Sequence, residues 1–268
     1  MNFITITDNA NWRFSLINLY ALHHLRLTYS YYIYTTTEYA KECILDTLAK
    51  HTELYNYGHI YVNTIPSFSQ TFNIDVTSTN HEWISIATLD RLGLPFHTDV
   101  KRFIWLDTDT LIVDADIINL YNTVTSDKGI AAIPTDTLLH NHIINFSNNP
   151  NLLSLAESNS STFNAGVCVF DLNKFNKDTY TQFIKEIYER SNGDYVNDEL
   201  ILNLYDQKFN ALPVKYNCFA YHKFVPTKHV VVHFSGADWK PWNKHLYTEG
   251  PYYKYYKLWE YYYALLFS

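Results

Sequence analysis

Glycine is scarce in this chain, with seven residues in 268 and no cluster of them. A dinucleotide fingerprint and a Walker loop each need several glycines within a few positions, and neither pattern occurs. Any phosphate group must therefore be gripped by a metal and cationic side chains rather than by a glycine-rich cradle. Cysteine is scarce as well. Cys43, Cys168 and Cys218 lie far apart, one left over from any pairing, which excludes a disulfide framework or a CxxC metal site. Reduced thiols in an intracellular compartment are the expectation. Positive charge is the minority sign, 20 Lys and Arg against 27 Asp and Glu, with no basic cluster. That argues against nucleic acid as a partner. No apolar run is long enough to span a bilayer. The stretch MNFITITDNANWRF has neither a basic n-region nor a long apolar core, so a cytoplasmic location is expected.

Apolar residues make up 47% of the chain and charged ones 18%, enough to bury a full core. The length suits one large α/β domain, and no linker forces two. Phe3–Thr7 alternates as a strand. Asp8 to Asn11 then supply turn and cap residues, and apolar residues recur at helical spacing from Trp12 to about Leu27. Tyr31–Tyr34 reads as a strand, Glu38–Lys50 as a helix and His59–Val62 as a third strand. This βαβ alternation predicts a largely parallel sheet covered by helices. Pro66–Thr79 reads as a surface loop, and Asn80–Leu92 as a helix with Asn80 as its cap. Ile117–Tyr121 reads as a short helix, Ile130–Ile133 as a strand and Thr137–Ser161 as a mobile lid. In Phe163–Phe170 a glycine interrupts a strand-like run, which signals a bulge or a close backbone approach. Asn173 is expected to cap a helix to Arg190, and Tyr195–Tyr205 to form another. Leu212–Tyr216 and His229–Phe234 read as strands, and Pro251–Phe267 as an aromatic helix packed along the domain.

The informative stretch is KRFIWLDTDTLIVD. Phe103 to Leu106 reads as a buried strand that ends on Asp107, Thr108 and Asp109. Two carboxylates one residue apart at the end of a core strand are costly unless something pairs with them, and a hard divalent cation is the economical partner. An Asp-rich turn is the plain alternative. Near the C-terminus, VVHFSG is followed by Lys240-Pro241-Trp242. His233 closes a strand and could be a third metal ligand. Gly236 permits close backbone approach, and Lys240 is a point cation suited to a phosphate oxygen. A histidine at a strand end is more often a satisfied core residue, so this segment alone decides nothing.

FIWLDTDTLIV, FNAGVCVFDL, NDELILN and VVHFSGADWKPWN stand in the order seen in glycosyltransferase family 8, and the chain resembles its glycogenin-like members from Phe3 to about Asn243. The resemblance implies an α/β, single-domain GT-A fold: a Rossmann-like nucleotide-binding half with a mixed central sheet flanked by helices. It divides residues 1–268 into a nucleotide-binding half (1–110), a sugar and acceptor half (111–245) and a C-terminal aromatic helix (246–268). It implies a UDP-sugar donor, Mn²⁺ or Mg²⁺, and hexosyl transfer with retention.

Residue by residue, the resemblance implies Asp107, Asp109 and His233 as metal ligands, with Lys240 and Gly236 beside the diphosphate and Thr108 among the donor contacts. Ile6, Thr7 and Asn9 would line the nucleobase pocket. Trp12 stands at the position of a stacking tyrosine, with a core-facing helix residue as the equal alternative. Asn164 and Gly166 match the sugar-binding strand, and Asp136 loosely matches a further sugar-contacting Asp. Arg91, rather than Thr88, matches a cation that reaches the donor. Asp198 matches the Asp that meets the donor sugar near the reacting carbon. Glu199 replaces the usual Gln and is the second candidate catalytic residue, because a carboxylate could act as a nucleophile where an amide hardly could. The family manages with Gln, which favours Glu199 as a bystander.

The leading expectation is a metal-dependent retaining hexosyltransferase with a nucleotide-sugar donor. Glycan, protein, lipid and small molecule all stand open as the acceptor, and homodimers are common among glycogenin-like members. A catalytically silent sugar-nucleotide or glycan-binding protein of the same fold is the alternative. Retention of Asp107, Asp109, His233, Lys240 and Asp198 together disfavours it. The segment between Tyr216-Asn217 and Val231 is shorter than the glycogenin acceptor segment, which implies a separate acceptor molecule.

Overall fold

The computed structural model describes residues 1–76, 86–146, 149–157, 159–192, 196–221, 227–243 and 250–268. Strands and helices alternate from the start: β1 (Asn2–Thr7), α1 (Ile17–His24), β2 (Tyr29–Thr35), α2 (Glu38–Lys50) and β3 (Gly58–Thr64). After α3 (Phe68–Phe72) and α4 (Leu94–His97) come β4 (Arg102–Leu106), β5 (Thr110–Ile112) and α5 (Ile117–Tyr121). Next are β6 (Ile130–Leu138), α6 (Leu139–Phe146), α7 (Pro150–Leu153), β7 (Ser161–Asp171), α8 (Lys177–Ser191) and α9 (Asp198–Tyr205). The last elements are β8 (Asn210–Ala211), β9 (Cys218–Phe219), β10 (Val231–His233) and α10 (Tyr253–Phe267).

The chain forms two compact units that exchange it more than once. The first is built from Met1–Thr64, Phe103–Thr123 and Pro213–Ser268, the second from Ile65–Arg102 and Val124–Leu212.

In the first unit, β3, β2, β1 and β4 lie side by side and parallel. Phe3 pairs with Tyr31 on one side and Ile104 on the other, both buried. Strands β1 and β4 are buried from their second residue on, as expected where both faces of a parallel sheet are covered. Helix α2 has the boundaries its sequence predicts. Thr37, in extended geometry, accepts from the Ala40 amide, and Ala40, Ile44, Thr47 and Leu48 form the buried stripe. Helix α10 buries Tyr256, Trp259, Tyr262 and Leu266 at helical spacing. A second, three-stranded sheet joins β5, β10 and β9, with β10 antiparallel to β5 and parallel to β9.

In the second unit β6 runs antiparallel to β7 and parallel to β8, so the architecture is mixed α/β. The β6–β7 register breaks where Ala132 faces Cys168 but Ile133 faces Asn164, so Ala165 to Val167 bulge out of the ladder around Gly166. Helix α8 buries Tyr180, Ile184 and Ile187 against this sheet unit's aromatic cluster, where Tyr180 meets Tyr205 edge-on at 4.8 Å.

Several local expectations need correction. Pro66–Thr79 is not loop throughout, because Ser67 and Gln70 form a reciprocal capping box that opens α3. The expected Thr137–Ser161 lid contains the end of β6, both α6 and α7, and the first residue of β7. Helix α8 is capped by Asn176, whose side chain accepts from Thr179 N, and Asn173 lies in a preceding 3-10 turn capped by Asp171. Pro213 cannot donate to a ladder, and Val214–Tyr216 is a 3-10 turn rather than a strand. Trp12–Leu16 is likewise a 3-10 turn before α1. Ile86–Gly93 is 3-10 where a helix was expected. The expected caps or starts Asn80 and Tyr195 lie outside the described residues. Among the described residues no helix is long and apolar enough to cross a membrane.

Candidate functional site

The first unit holds a carboxylate–histidine cluster. Strand β4 ends at Leu106, and the chain turns so that Thr110 donates from its amide (3.2 Å) and its hydroxyl (2.7 Å) to the Asp107 carbonyl. Trp105 Nε1 donates to Asp107 Oδ1 at 2.7 Å. Asn18 of α1 holds the other side of the turn, donating to Thr110 Oγ1 and accepting from Ile112 N, both at 2.8 Å. In the second sheet Thr110 pairs with His233, and Phe234 N donates to the Asp109 carbonyl at 2.9 Å. This ladder carries His233 Nε2 to 3.3 Å from Asp109 Oδ1. One ligand atom from each of Asp107, Asp109 and His233 lies within 4.8 Å of the others.

The cluster has the chemistry of a cation site. Asp109 is 6% exposed and His233 2%. Asn217 Oδ1 can only accept, so His233 Nδ1 donates to it at 3.0 Å, which turns Nε2 towards Asp109. Lys240 Nζ is already paired with Asp109 Oδ2, an internal cation at the carboxylate. Burial opposes ionisation of Asp109, but Lys240 and then His233 outweigh it and hold the carboxyl well below the usual carboxylate range. Two carboxylates and an imidazole suit Mn²⁺ or Mg²⁺.

The loop that brings Lys240 is held firmly. Gly236 has φ +88°, a conformation L side chains rarely adopt, and starts the 3-10 turn Ala237–Trp239. Tyr256 of α10 donates to the Trp239 carbonyl at 2.9 Å. Trp242 stacks on Phe14 with ring centroids 3.8 Å apart and planes within 2°.

The expected nucleobase residues lie in the same unit. Ile6 and Thr7 end β1, both buried, and Asn9 is exposed with its side chain on the Thr37 hydroxyl. Trp12 is buried edge-on against Phe267 at 5.8 Å, with the Arg13 guanidinium 5.0 Å from its ring. Thr108 is half-buried in the turn between the two aspartates.

The second unit gathers a separate polar cluster. Arg91, on the 3-10 run, forms a buried ion pair with Asp198 in the first turn of α9, and its Nη1 donates to the Ala165 carbonyl at 2.7 Å. Glu199 Oε2 accepts from Asn164 Nδ2 at 2.9 Å and from Ala165 N at 3.0 Å. Asn164 Oδ1 in turn accepts from Gly166 N at 3.0 Å. The bulge of β7 is thus held by α9 side chains and by Arg91. Asn203 completes the lock, accepting from Phe163 N at 2.7 Å and donating to its carbonyl at 2.9 Å. Asp136 is exposed on β6.

Five residues that sequence reasoning passed over support these clusters: Asn18, Trp105, Asn203, Asn217 and His142. Asn217 had a signal, since it follows Tyr216 in the pair used to delimit the acceptor segment. Asn203 closes the NDELILN stretch and Trp105 lies within FIWLDTDTLIV, whereas Asn18 and His142 sit on apolar elements with no local pattern that announces them.

Comparison with known proteins follows the same lines. No curated protein matches. Among solved structures, the galactosyltransferase LgtC in complex with donor and acceptor sugar analogues superposes with TM-score 0.74 at 16% identity, covering 100% of this chain and 97% of LgtC. The glycosyltransferase GlyE of Streptococcus pneumoniae gives 0.64 at 17% identity, with 99% of this chain matching 61% of GlyE. Mouse xyloside xylosyltransferase 1 gives 0.50 at 12% identity over 87% and 97%. At these identities the likeness establishes the GT-A fold. The family model described as glycosyl transferase family 8 matches residues 7–245, the stretch that carries the aspartate pair, β7, α9 and the histidine–lysine segment, and the chain belongs to that family.

Proposed function

We propose that this protein is a cytoplasmic, metal-dependent retaining hexosyltransferase that moves glucose or galactose from a UDP-sugar to a separate acceptor. The observation that carries the reading is the cluster of half-buried Asp107 with buried Asp109 and His233, with Lys240 already paired to Asp109. Asp107, Asp109 and His233 Nε2 would hold Mn²⁺ or Mg²⁺, which supplies positive charge for diphosphate oxygens. Lys240 adds a second cation for the negative charge that grows on the leaving diphosphate. Ile6, Thr7, Asn9, Trp12 and Thr108 are assigned to the nucleotide, and Gly236 to the backbone turn that delivers Lys240.

Asn164, Gly166 and Arg91 are assigned to the donor sugar, with Asp198 and Glu199 as the carboxylates that stabilise positive charge near its anomeric carbon. Glu199 Oε2 is committed to two N–H donors, and Asp198 is committed to Arg91. A carboxylate held this way is a poor nucleophile. That favours front-face attack, in which the departing phosphate takes the acceptor's proton, over a covalent glycosyl intermediate.

With Mn²⁺ and a panel of nucleotide sugars, UDP release is expected from UDP-glucose or UDP-galactose and is expected to stop in excess chelator. Tight UDP-sugar binding with no release, across glycan, peptide, lipid and small-molecule acceptors, would instead identify a silent binding protein.

The acceptor is a separate molecule. Tyr221 is the one tyrosine between Asn217 and Val231. The tail tyrosines 252, 256 and 262 are buried in packing. A phenol accepts only if its oxygen comes within roughly 3–3.5 Å of the anomeric carbon. Intact mass after incubation with UDP-glucose and Mn²⁺ is expected to stay unchanged. A ladder of hexose additions mapping to Tyr221 or the tail would overturn this.

A further inference from the structure

Helix α6 turns Leu139, His142 and Ile143 inward, at i, i+3 and i+4, and all three are buried. A ring with two polar nitrogens on such a stripe loses hydration and costs stability unless it has polar work inside. Burial pushes the His142 pKa down to about 4, so near pH 7 the ring is neutral and one of its nitrogens carries a proton. Its Nε2 faces Oε1 of Glu199 at 3.9 Å. The other oxygen of that carboxylate already accepts from Asn164 Nδ2 and Ala165 N.

The chemistry of the pair selects one tautomer. An ionised carboxylate oxygen only accepts, so a bare Nε2 lone pair turned towards it would set two lone pairs against each other. With the proton on Nε2, the ring donates towards Oε1. At 3.9 Å the separation is longer than a hydrogen bond, so Nε2–H acts on Oε1 through the field of its N–H dipole.

We propose that His142 is a positioning residue for Glu199: Nε2–H steers Oε1 while Ala165 and Asn164 hold Oε2, and the carboxylate so fixed orients the Asn164 amide. The role in catalysis rests on the assignment of Asn164 and Glu199 to the donor sugar; the pairing itself does not. A carboxylate at position 199 needs a donor from residue 142, whereas an amide there would need an acceptor, which the other tautomer of the ring supplies.

Nitrogen-15 NMR of the histidine rings tests the pairing without any turnover, with the His142 signals identified by their loss in His142→Gln. The wild-type ring is expected as the Nε2–H tautomer. In Glu199→Gln it is expected to switch to Nδ1–H, because the new amide keeps its carbonyl on Ala165 and Asn164 and donates its NH₂ to Nε2. An Nδ1–H ring in the wild type, or the same tautomer in both proteins, overturns the proposal.

Kinetics then test the consequence. His142→Phe is expected to lower kcat about tenfold with the donor KM within about twofold, and His142→Gln, whose amide nitrogen donates at a similar reach, to recover all but about threefold. Wild-type kcat in His142→Phe would overturn the positioning role. The expected tautomers in a wild-type protein that releases no nucleotide would support the pairing and refute the transferase reading instead.

Discussion

Asp109→Ala is expected to remove metal-dependent UDP-sugar turnover, by at least about 100-fold in kcat/KM, while the protein stays folded. A loss of that size is about 3 kcal/mol of transition-state stabilisation, the scale seen when a charge aimed at a developing anion is withdrawn. Asp109 touches both His233 Nε2 and Lys240 Nζ, so its removal takes one ligand and unsettles two more groups at once. The fold should tolerate this. The Lys240 side chain is 20% exposed and can turn to water, and His233 keeps its bond to Asn217. Mn²⁺ binding followed by calorimetry should weaken in step with activity, and far-UV circular dichroism should match the wild type. Full activity of the variant, or of the wild type in excess chelator, would refute the metal assignment.

Arg91→Met is expected to have the largest effect on stability. Its guanidinium and the Asp198 carboxylate are 8% and 7% exposed, so the pair is cut off from water. Removing the cation strips the buried Asp198 carboxylate of its counter-ion and takes a donor from the Ala165 carbonyl. Breaking a buried pair from one side costs about 3–5 kcal/mol. In a chain of this length that is a fall in Tm on the order of 10 °C. Removing both charges together should cost much less, because the penalty comes from the stranded ion and not from losing the pair. Thermal denaturation of Arg91→Met, Asp198→Asn and the double variant decides this. The double variant should melt above Arg91→Met, and additive losses would show that the two side chains act independently.

Features whose physics is local can be read from the order of the residues. Helix α2 starts and stops where a threonine cap and an apolar stripe say it should, and β1 follows from its own alternation. The Asp107–Asp109 turn was legible because charged residues closing a buried strand are costly unless paired. Gly166 announced the bulge because a glycine inside a strand-like run has few other uses. Segments of weak periodicity misled. The Asn- and Ser-rich Thr137–Ser161 stretch forms α6 and α7, since Leu139, His142 and Ile143 are buried only once other elements pack over them.

Which polar groups meet follows from long-range packing. Lys240 and Asp109 are 131 residues apart, and the second sheet and the Gly236 turn are what join them. No local rule says that Arg91 pairs with Asp198 or that His142 faces Glu199. A charge or ring on one element signals only that it needs a partner. Which partner it finds depends on strand register and helix packing, and these are set by apolar burial over the whole unit. The sequence therefore showed where polar groups were out of place, and the fold supplied what each of them is paired with.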